Sequence, residues 1–326
     1  MQCADWQPAA TLEVLRLRAQ LLAAIRTFFA ERGVWEADTP ALSTAATTDP
    51  QLESFTTMYT GPGVQHTLYL HTSPEFPMKR LLAAGSGSIY QIVKAFRNGE
   101  NGRWHNPEFM LLEWYRVGFD QQQLMDEVTE LVILVLQNLD LKPPERLSYA
   151  AVFRRYLGLD PHTATVAELA DCVTARGLHA PPGMPAEDPN LWLDFLWSHG
   201  IESQLGQGRL TFIYDYPVAQ AALATIRPGN PPVAERFELY LNGIALANGF
   251  HELGDAAEQY RRCQHNNQVR AGRGLPVMPL DERLLIALES GLPDCAGVAL
   301  GIDRLLMIAA GKSSLGEVLA FPLGRA

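Results

Sequence analysis

Apolar residues recur three and four apart between positions 11 and 32, at Val14, Leu17, Leu21, Ile25 and Phe28. That is the period of an amphipathic helix, and Gly33 follows as its stop signal. The next stretch, Val34-Trp35-Glu36-Ala37-Asp38-Thr39-Pro40, reads as a short extended piece closed by proline. A strand is expected over 68–72, then a helix over 74–84 opened by Pro74 with Glu75 in its first turn. Alternation from Ile89 to Arg97, and again from Phe109 to Tyr115, predicts two strands. The loop between them is too long for a tight hairpin, which marks it as a candidate functional loop. Residues 121–139 suit a helix.

From about 142 to 208 the chain is rich in Pro, Ala and short helical patterns, broken at Pro181-Pro182-Gly183. It reads as an inserted helical subdomain rather than an independent unit. A strand is expected at 210–216, and Phe237–Leu241 and Ile244–Ala247 flank Asn242-Gly243, a strong hairpin signal. A two-residue turn there sets position 240 opposite 245 and 238 opposite 247, so Glu238 and Ala245 share a face. Helices at 255–272 and 281–290, a strand at 296–301 and a helix at 302–311 complete the pass. Hairpin-paired strands separated by long helices predict an α+β fold, an antiparallel sheet backed by helices, read as one domain over 1–326.

The chain has 326 residues, 47% apolar and 19% charged, with a net charge of -10. That composition excludes disorder and weighs against stable tRNA or DNA binding, which usually needs a basic face. Cys3, Cys172, Cys263 and Cys295 are scattered without a CxxC pair, so neither a disulfide framework nor a zinc site is expected. Charged residues interrupt the first thirty positions, and the longest aliphatic run is Leu131–Leu136. A signal peptide and a membrane span are therefore not expected, and a cytoplasmic location is.

Several familiar signatures fail. Gly311-Lys312-Ser313 lacks the upstream glycine of a P-loop, His251-Glu252 lacks the second histidine of a zincin, and Gly85-Ser86-Gly87 follows no strand. What holds is a constellation on strands. Glu113 and Tyr115 lie two apart and share a face, where a carboxylate and a phenol can hold an ammonium group. Arg97 ends the opposite strand, with His105 and Asn106 in the connecting loop. A small-residue strand, Gly297-Val298-Ala299-Leu300-Gly301, runs into a helix that carries Arg304 in its first turn. Small residues let a ligand approach the backbone, and arginine can bind phosphate bidentately. A solvated strand face and tight helix-on-strand packing are the competing structural readings of these two features.

Phe96-Arg97-Asn98, His105-Asn106-Pro107-Glu108-Phe109 and Glu113-Trp114-Tyr115 together resemble motif 2 of the class II aminoacyl-tRNA synthetases, lysyl subgroup. Gly301-Ile302-Asp303-Arg304-Leu305 resembles motif 3, and Arg18 through Pro40 resembles motif 1. Glu235-Arg236-Phe237-Glu238-Leu239 and Ala247-Asn248-Gly249-Phe250 match two further lysyl-type blocks. Motif 1 starts within the first twenty residues, so a catalytic core without the anticodon-binding OB-fold is expected. Thr72-Ser73-Pro74-Glu75, the stretch Ala219–Ala224 and Ala299, where lysyl-tRNA synthetases have glycine, are similar to one branch. That branch comprises the stand-alone paralogues that attach (R)-β-lysine to a lysine of translation elongation factor P.

The resemblance implies a homodimer with motif 1 at its interface, and a site for ATP and Mg²⁺. It implies that Arg97 bridges the amino-acid carboxylate and the α-phosphate and that Arg304 holds the γ-phosphate. Asn98, Gly99, His105, Asn106, Phe109, Glu238, Leu239 and Gly301 would surround the nucleotide, with Phe109 stacked on adenine and Glu238 on the metal. Ser73, Pro74, Glu75, Glu113, Tyr115, Ala245, Asn248, Glu252 and Ala299 would line the amino-acid site. Two positions depart from the pattern: Gly99 stands where motif 2 has glutamate, with Glu100 next to it, and Ala245 stands where a second metal-binding glutamate is usual. The same resemblance is compatible with a tRNA-charging core, or with a paralogue that binds ATP or lysine as a sensor.

Overall fold

The computed structural model describes residues 6–181, 184 and 188–326; Cys3 and the Pro182-Gly183 part of the expected break lie outside them. In chain order the elements are α1 (Leu12–Glu31), β1 (Trp35–Glu36), β2 (Leu42–Ser43), β3 (Thr56–Gly61), β4 (Val64–Leu70), α2 (Glu75–Ala83), β5 (Ile89–Phe96) and β6 (Glu108–Val117). Then come α3 (Gln121–Val135), β7 (Lys142–Ser148), α4 (Tyr149–Leu157), α5 (Val166–Ala175), α6 (Pro189–Leu196), β8 (Arg209–Pro217), β9 (Ile226–Arg227), β10 (Val233–Leu241) and β11 (Ile244–His251). The last are α7 (Ala256–Gly272), α8 (Glu282–Gly291), β12 (Cys295–Gly301) and α9 (Ile302–Ala309). These fall into two compact units, one of residues 1–119, 130–138 and 253–326, the other of 120–129 and 139–252.

In the first unit β5 pairs antiparallel with β6, β6 antiparallel with β12, and β1 parallel with β5. α1 begins at Thr11, whose hydroxyl accepts from Val14 N, as a serine or threonine N-cap does. It buries Val14, Leu21, Ile25, Phe28 and Phe29. Phe29 stacks on Tyr90 at 4.3 Å and meets Trp114 edge-on at 5.5 Å. α1 therefore covers the sheet face that carries the even-numbered residues of β5 and β6. Strand alternation turns Glu113 and Tyr115 to the opposite face. A separate small sheet, β2-β4-β3, is antiparallel.

In the second unit β10 pairs antiparallel with β11 and with β8, and β7 pairs parallel with β8. The turn holds Asn242 at φ 51° and Gly243 at φ 74°, the left-handed pair that a tight hairpin requires. Phe153, Leu157, Leu169, Val173, Leu193 and Leu196 from α4–α6 share one core with Ile213, Tyr216, Ala234 and Tyr240 of the strands. The helices of the insertion are built on the sheet, not beside it.

Three expectations are corrected. The stretch 142–208 opens with a strand, β7, whose prolines sit at an edge where the missing N–H groups cost nothing. The strands of each unit are mixed in direction, since β1–β5 in the first and β7–β8 in the second are parallel pairs. A bulge puts Glu238 opposite Asn248, not Ala247, while Tyr240 still faces Ala245. The extra residue lies between Ala245 and Asn248, so Glu238, Ala245 and Asn248 all share one face. Among the described residues no helix is long and apolar enough to cross a membrane.

Candidate active site

In the first unit, the loop between β5 and β6 is held from both ends. Arg97 N donates to Pro107 O at 2.9 Å and Asn98 N to Glu53 O at 2.8 Å. Gly99 has φ 81°, a region in which a side chain is strained. The loop's geometry thus explains why glutamate is absent at 99. The neighbouring Glu100 places Oε1 3.6 Å from Arg97 Nη1, so an acid still faces this arginine. The Arg97 guanidinium lies 4.9 Å from the Phe109 ring centroid. Its Nε is buried and has no hydrogen-bond partner among the described residues. A buried donor left unmet is costly, and an anionic ligand would satisfy it.

Further along the loop, Gly102 and His105 pair through their backbones. Arg304 Nη2 donates to His105 Nε2 at 2.8 Å and Arg304 Nε to Trp104 O at 3.2 Å. Burial lowers the His105 pKa from its ordinary value, and the Arg304 charge adds to the effect. The ring is therefore neutral near pH 7 and free to accept from Arg304. Asn106 is buried, donating to Glu108 O at 2.6 Å and accepting from Leu323 N at 3.1 Å. Its amide braces the loop and the end of the chain.

Asp303, the residue before Arg304, reads from the sequence as no more than a charge at the helix N-terminus. Its buried carboxylate accepts from Met110 N at 2.7 Å and pairs with Arg18 at 2.6 Å. One side chain thereby ties the three synthetase-like motifs together. The sequence signal is an acid in a helix's first turn, which is too common to single out.

On the sheet face away from α1, where Met78 and Leu82 of α2 pack on Ile89 and Tyr115, Gln91, Glu113 and Ala299 lie in one cross-strand row, and Ile89, Tyr115 and Gly297 in the next. Glu113 and Tyr115 are buried, and the Tyr115 hydroxyl donates to Glu113 Oε1 at 2.7 Å. Ala299 lies directly opposite Glu113 in the strand register, and Gly301 opposite Leu111. Gln91, which the sequence reading missed, is 2% exposed and accepts from Thr39 Oγ1 at 2.9 Å. Pro74 precedes α2, and Glu75 in its first turn accepts from the buried Lys79 at 2.6 Å. The Ser73 hydroxyl accepts from Glu75 N at 3.5 Å.

The second unit builds its own polar cluster on β10 and β11. Glu238 pairs with Arg236 and accepts from the Tyr240 hydroxyl at 2.5 Å. Arg236 Nε also donates to Asn248 Oδ1 at 3.0 Å. Burial and the Glu238 charge raise the Tyr240 pKa, which keeps its proton in place for this bond. Ala245, opposite Tyr240, contributes no carboxylate. Leu239 is fully buried and its side chain belongs to the core, while Glu252 is buried with its carbonyl accepting from Thr225 Oγ1 at 2.9 Å.

An arginine with an unmet buried donor, a second arginine beside the same loop and a buried acid on the neighbouring strand face suit an enzyme that adenylates a basic amino acid. A family model described as tRNA synthetases class II (D, K and N) matches residues 2–325, and the chain belongs to that family. Within it, the chain is similar to proteins named elongation factor P–(R)-β-lysine ligase. The one from Vibrio vulnificus (strain YJ016) is 53% identical over 321 residues, 98% of each chain. Those from Vibrio cholerae serotype O1 and Yersinia enterocolitica are 52% and 50% identical, covering all of this chain and 100% and 99% of their own.

Proposed function

We propose that this chain is an ATP-dependent ligase. It activates (R)-β-lysine as an aminoacyl-adenylate and transfers it to the ε-amine of a lysine on translation elongation factor P. The reading is supported by the near-full-length identity to proteins of that name. The observation that carries it at the site is the buried Glu113 carboxylate, held by Tyr115 and set opposite Ala299 on the sheet face away from α1.

In the first step a carboxylate oxygen of the amino acid attacks the α-phosphorus, and the bond to pyrophosphate breaks. Arg97, with its unmet buried Nε, stabilises the charge that develops there, and such preorganised donors are usually the largest catalytic contribution. Arg304, steadied by neutral His105, takes the γ-phosphate, and Phe109 stacks on adenine. Asn98, Gly99, Asn106, Leu239 and Gly301 shape the nucleotide's surroundings through backbone and bracing contacts. Glu113, Tyr115 and Glu252 bind the terminal ammonium, Glu75 with Ser73 and Pro74 the reactive end's amino group, and Asn248 the carboxylate. In the second step the acceptor amine attacks the acyl carbon and AMP leaves.

Glu238 is the candidate Mg²⁺ ligand. Each of its oxygens accepts one hydrogen bond and keeps a second lone pair. One carboxylate with water and phosphate oxygens is an ordinary Mg²⁺ environment, so the residues fit the ion. Mg²⁺ bound there would neutralise phosphate charge. Without an acid at 245, Glu238 and the phosphates carry more of the binding. We further place the protein in the cytoplasm as a homodimer that does not stably bind tRNA; Trp35, exposed within motif 1, supports the dimer. Amino-acid-dependent pyrophosphate exchange, followed by mass analysis of elongation factor P, tests the proposal. Exchange with no lysine isomer would refute it.

A further inference from the structure

Arg270 lies in the last turn of α7, and its side chain is entirely buried. A guanidinium out of water is tolerated only with its donors met. Here Nε donates to Pro276 O at 2.7 Å, and Nη1 to the carbonyls of Asp49 and Leu52, each at 3.0 Å. Nη2 bonds Glu53 Oε2 at 2.8 Å. Neutralising the charge needs Glu53 alone, and filling the space needs only an apolar side chain. The two carbonyls from one strandless turn are a different matter, because together they fix the path of residues 49–53.

That path ends at the Glu53 carbonyl, which accepts from Asn98 N at 2.8 Å. Asn98 follows Arg97, the residue with the unmet buried Nε. The other tether on this loop entrance, Arg97 N to Pro107 O, comes from the opposite side. Neighbouring contacts brace the same segment against the same region: Ala46 N donates to Pro279 O at 3.3 Å, and Asn266 Nδ2 donates to Thr48 Oγ1 at 3.5 Å.

We propose that Arg270 is a positioning residue for the nucleotide loop, setting Arg97 through the chain Arg270, segment 49–53 and Asn98. This rests on the reading that Arg97 binds ATP. Misplacing a group at the reacting centre by about 1 Å from a remote position can cost about 100-fold.

The test is ATP affinity by calorimetry, alongside KM for the diamino acid and thermal stability, in Arg270→Lys and Glu53→Gln. Lysine keeps the charge and loses the fork geometry. For Arg270→Lys, ATP should bind about tenfold more weakly, a loss within the range that remote misplacement produces. KM for the diamino acid should rise by less than ATP affinity falls, because its ammonium contacts are untouched. Glu53→Gln, which disturbs only Nη2, should move ATP affinity the same way by less, and it carries the test where Arg270→Lys does not fold. A lowered melting temperature with unchanged ATP affinity in the folded variants would assign Arg270 to stability alone and overturn the proposal. Because the readout is ATP binding, a wild-type protein that binds ATP and acylates nothing would defeat the functional reading and leave this test intact.

Discussion

Tyr115→Phe is the sharpest perturbation of the amino-acid pocket. The substitution removes one oxygen and leaves the ring where it packs, among Ala37, Met78, Leu82, Ile89 and Cys295, so no cavity forms. What disappears is the 2.7 Å hydrogen bond to Glu113 Oε1. A hydrogen bond to a charged group contributes about 1.5–3 kcal/mol. If that bond aims the carboxylate at the substrate ammonium, kcat/KM for the diamino acid falls by roughly 10- to 150-fold. Pyrophosphate exchange measured with the amino acid and ATP varied separately reads both parameters. The loss should appear against the diamino acid, with KM for ATP unchanged. Equal losses against both substrates, or none against the amino acid, would show that the Glu113–Tyr115 pair does not recognise it.

Three more outcomes follow. Ala299→Gly removes a methyl beside Glu113, and because a methylene-sized change discriminates by about 1–3 kcal/mol, use of α-lysine should rise relative to β-lysine; an unchanged ratio of specificity constants contradicts this. Ala245→Glu places an acid on the face of Glu238, so Mg²⁺ should bind more tightly in a direct titration of the nucleotide complex; equal affinity would count against Glu238 as the metal ligand. His105 has a folded pKa below the ordinary 6.5, so its contribution to stability is complete above that value and is lost as pH falls through the folded pKa. His105→Asn should therefore flatten the acid side of the stability–pH curve, and a curve parallel to wild type would refute the assignment.

Much of this was legible because pattern and tertiary role coincide. α1 shows its period since one stripe of it is buried, and the 242–243 turn shows itself since only a few residues tolerate its backbone. β3 escaped because it is exposed almost throughout and so has no alternation to read. β7 escaped because prolines argue against strands except at edges, and edges are defined by partners far along the chain. The same holds at the site. Arg97, Glu113 and Arg304 stand in motifs that can be recognised, whereas Asp303 tying Arg18 to Met110, Gln91 beside Glu113, and Arg270 reaching Asp49 depend on long-range contacts. The bulge after Ala245 is likewise invisible locally, yet it decides that Asn248 lies opposite Glu238.

Incubating the protein with elongation factor P, ATP, Mg²⁺ and (R)-β-lysine, and weighing the intact acceptor, goes most directly to the central claim. One β-lysyl adduct per acceptor should form, absent when Arg97 is replaced by alanine or when ATP is withheld. An acceptor of unchanged mass, from a protein that is folded and binds ATP, would contradict it.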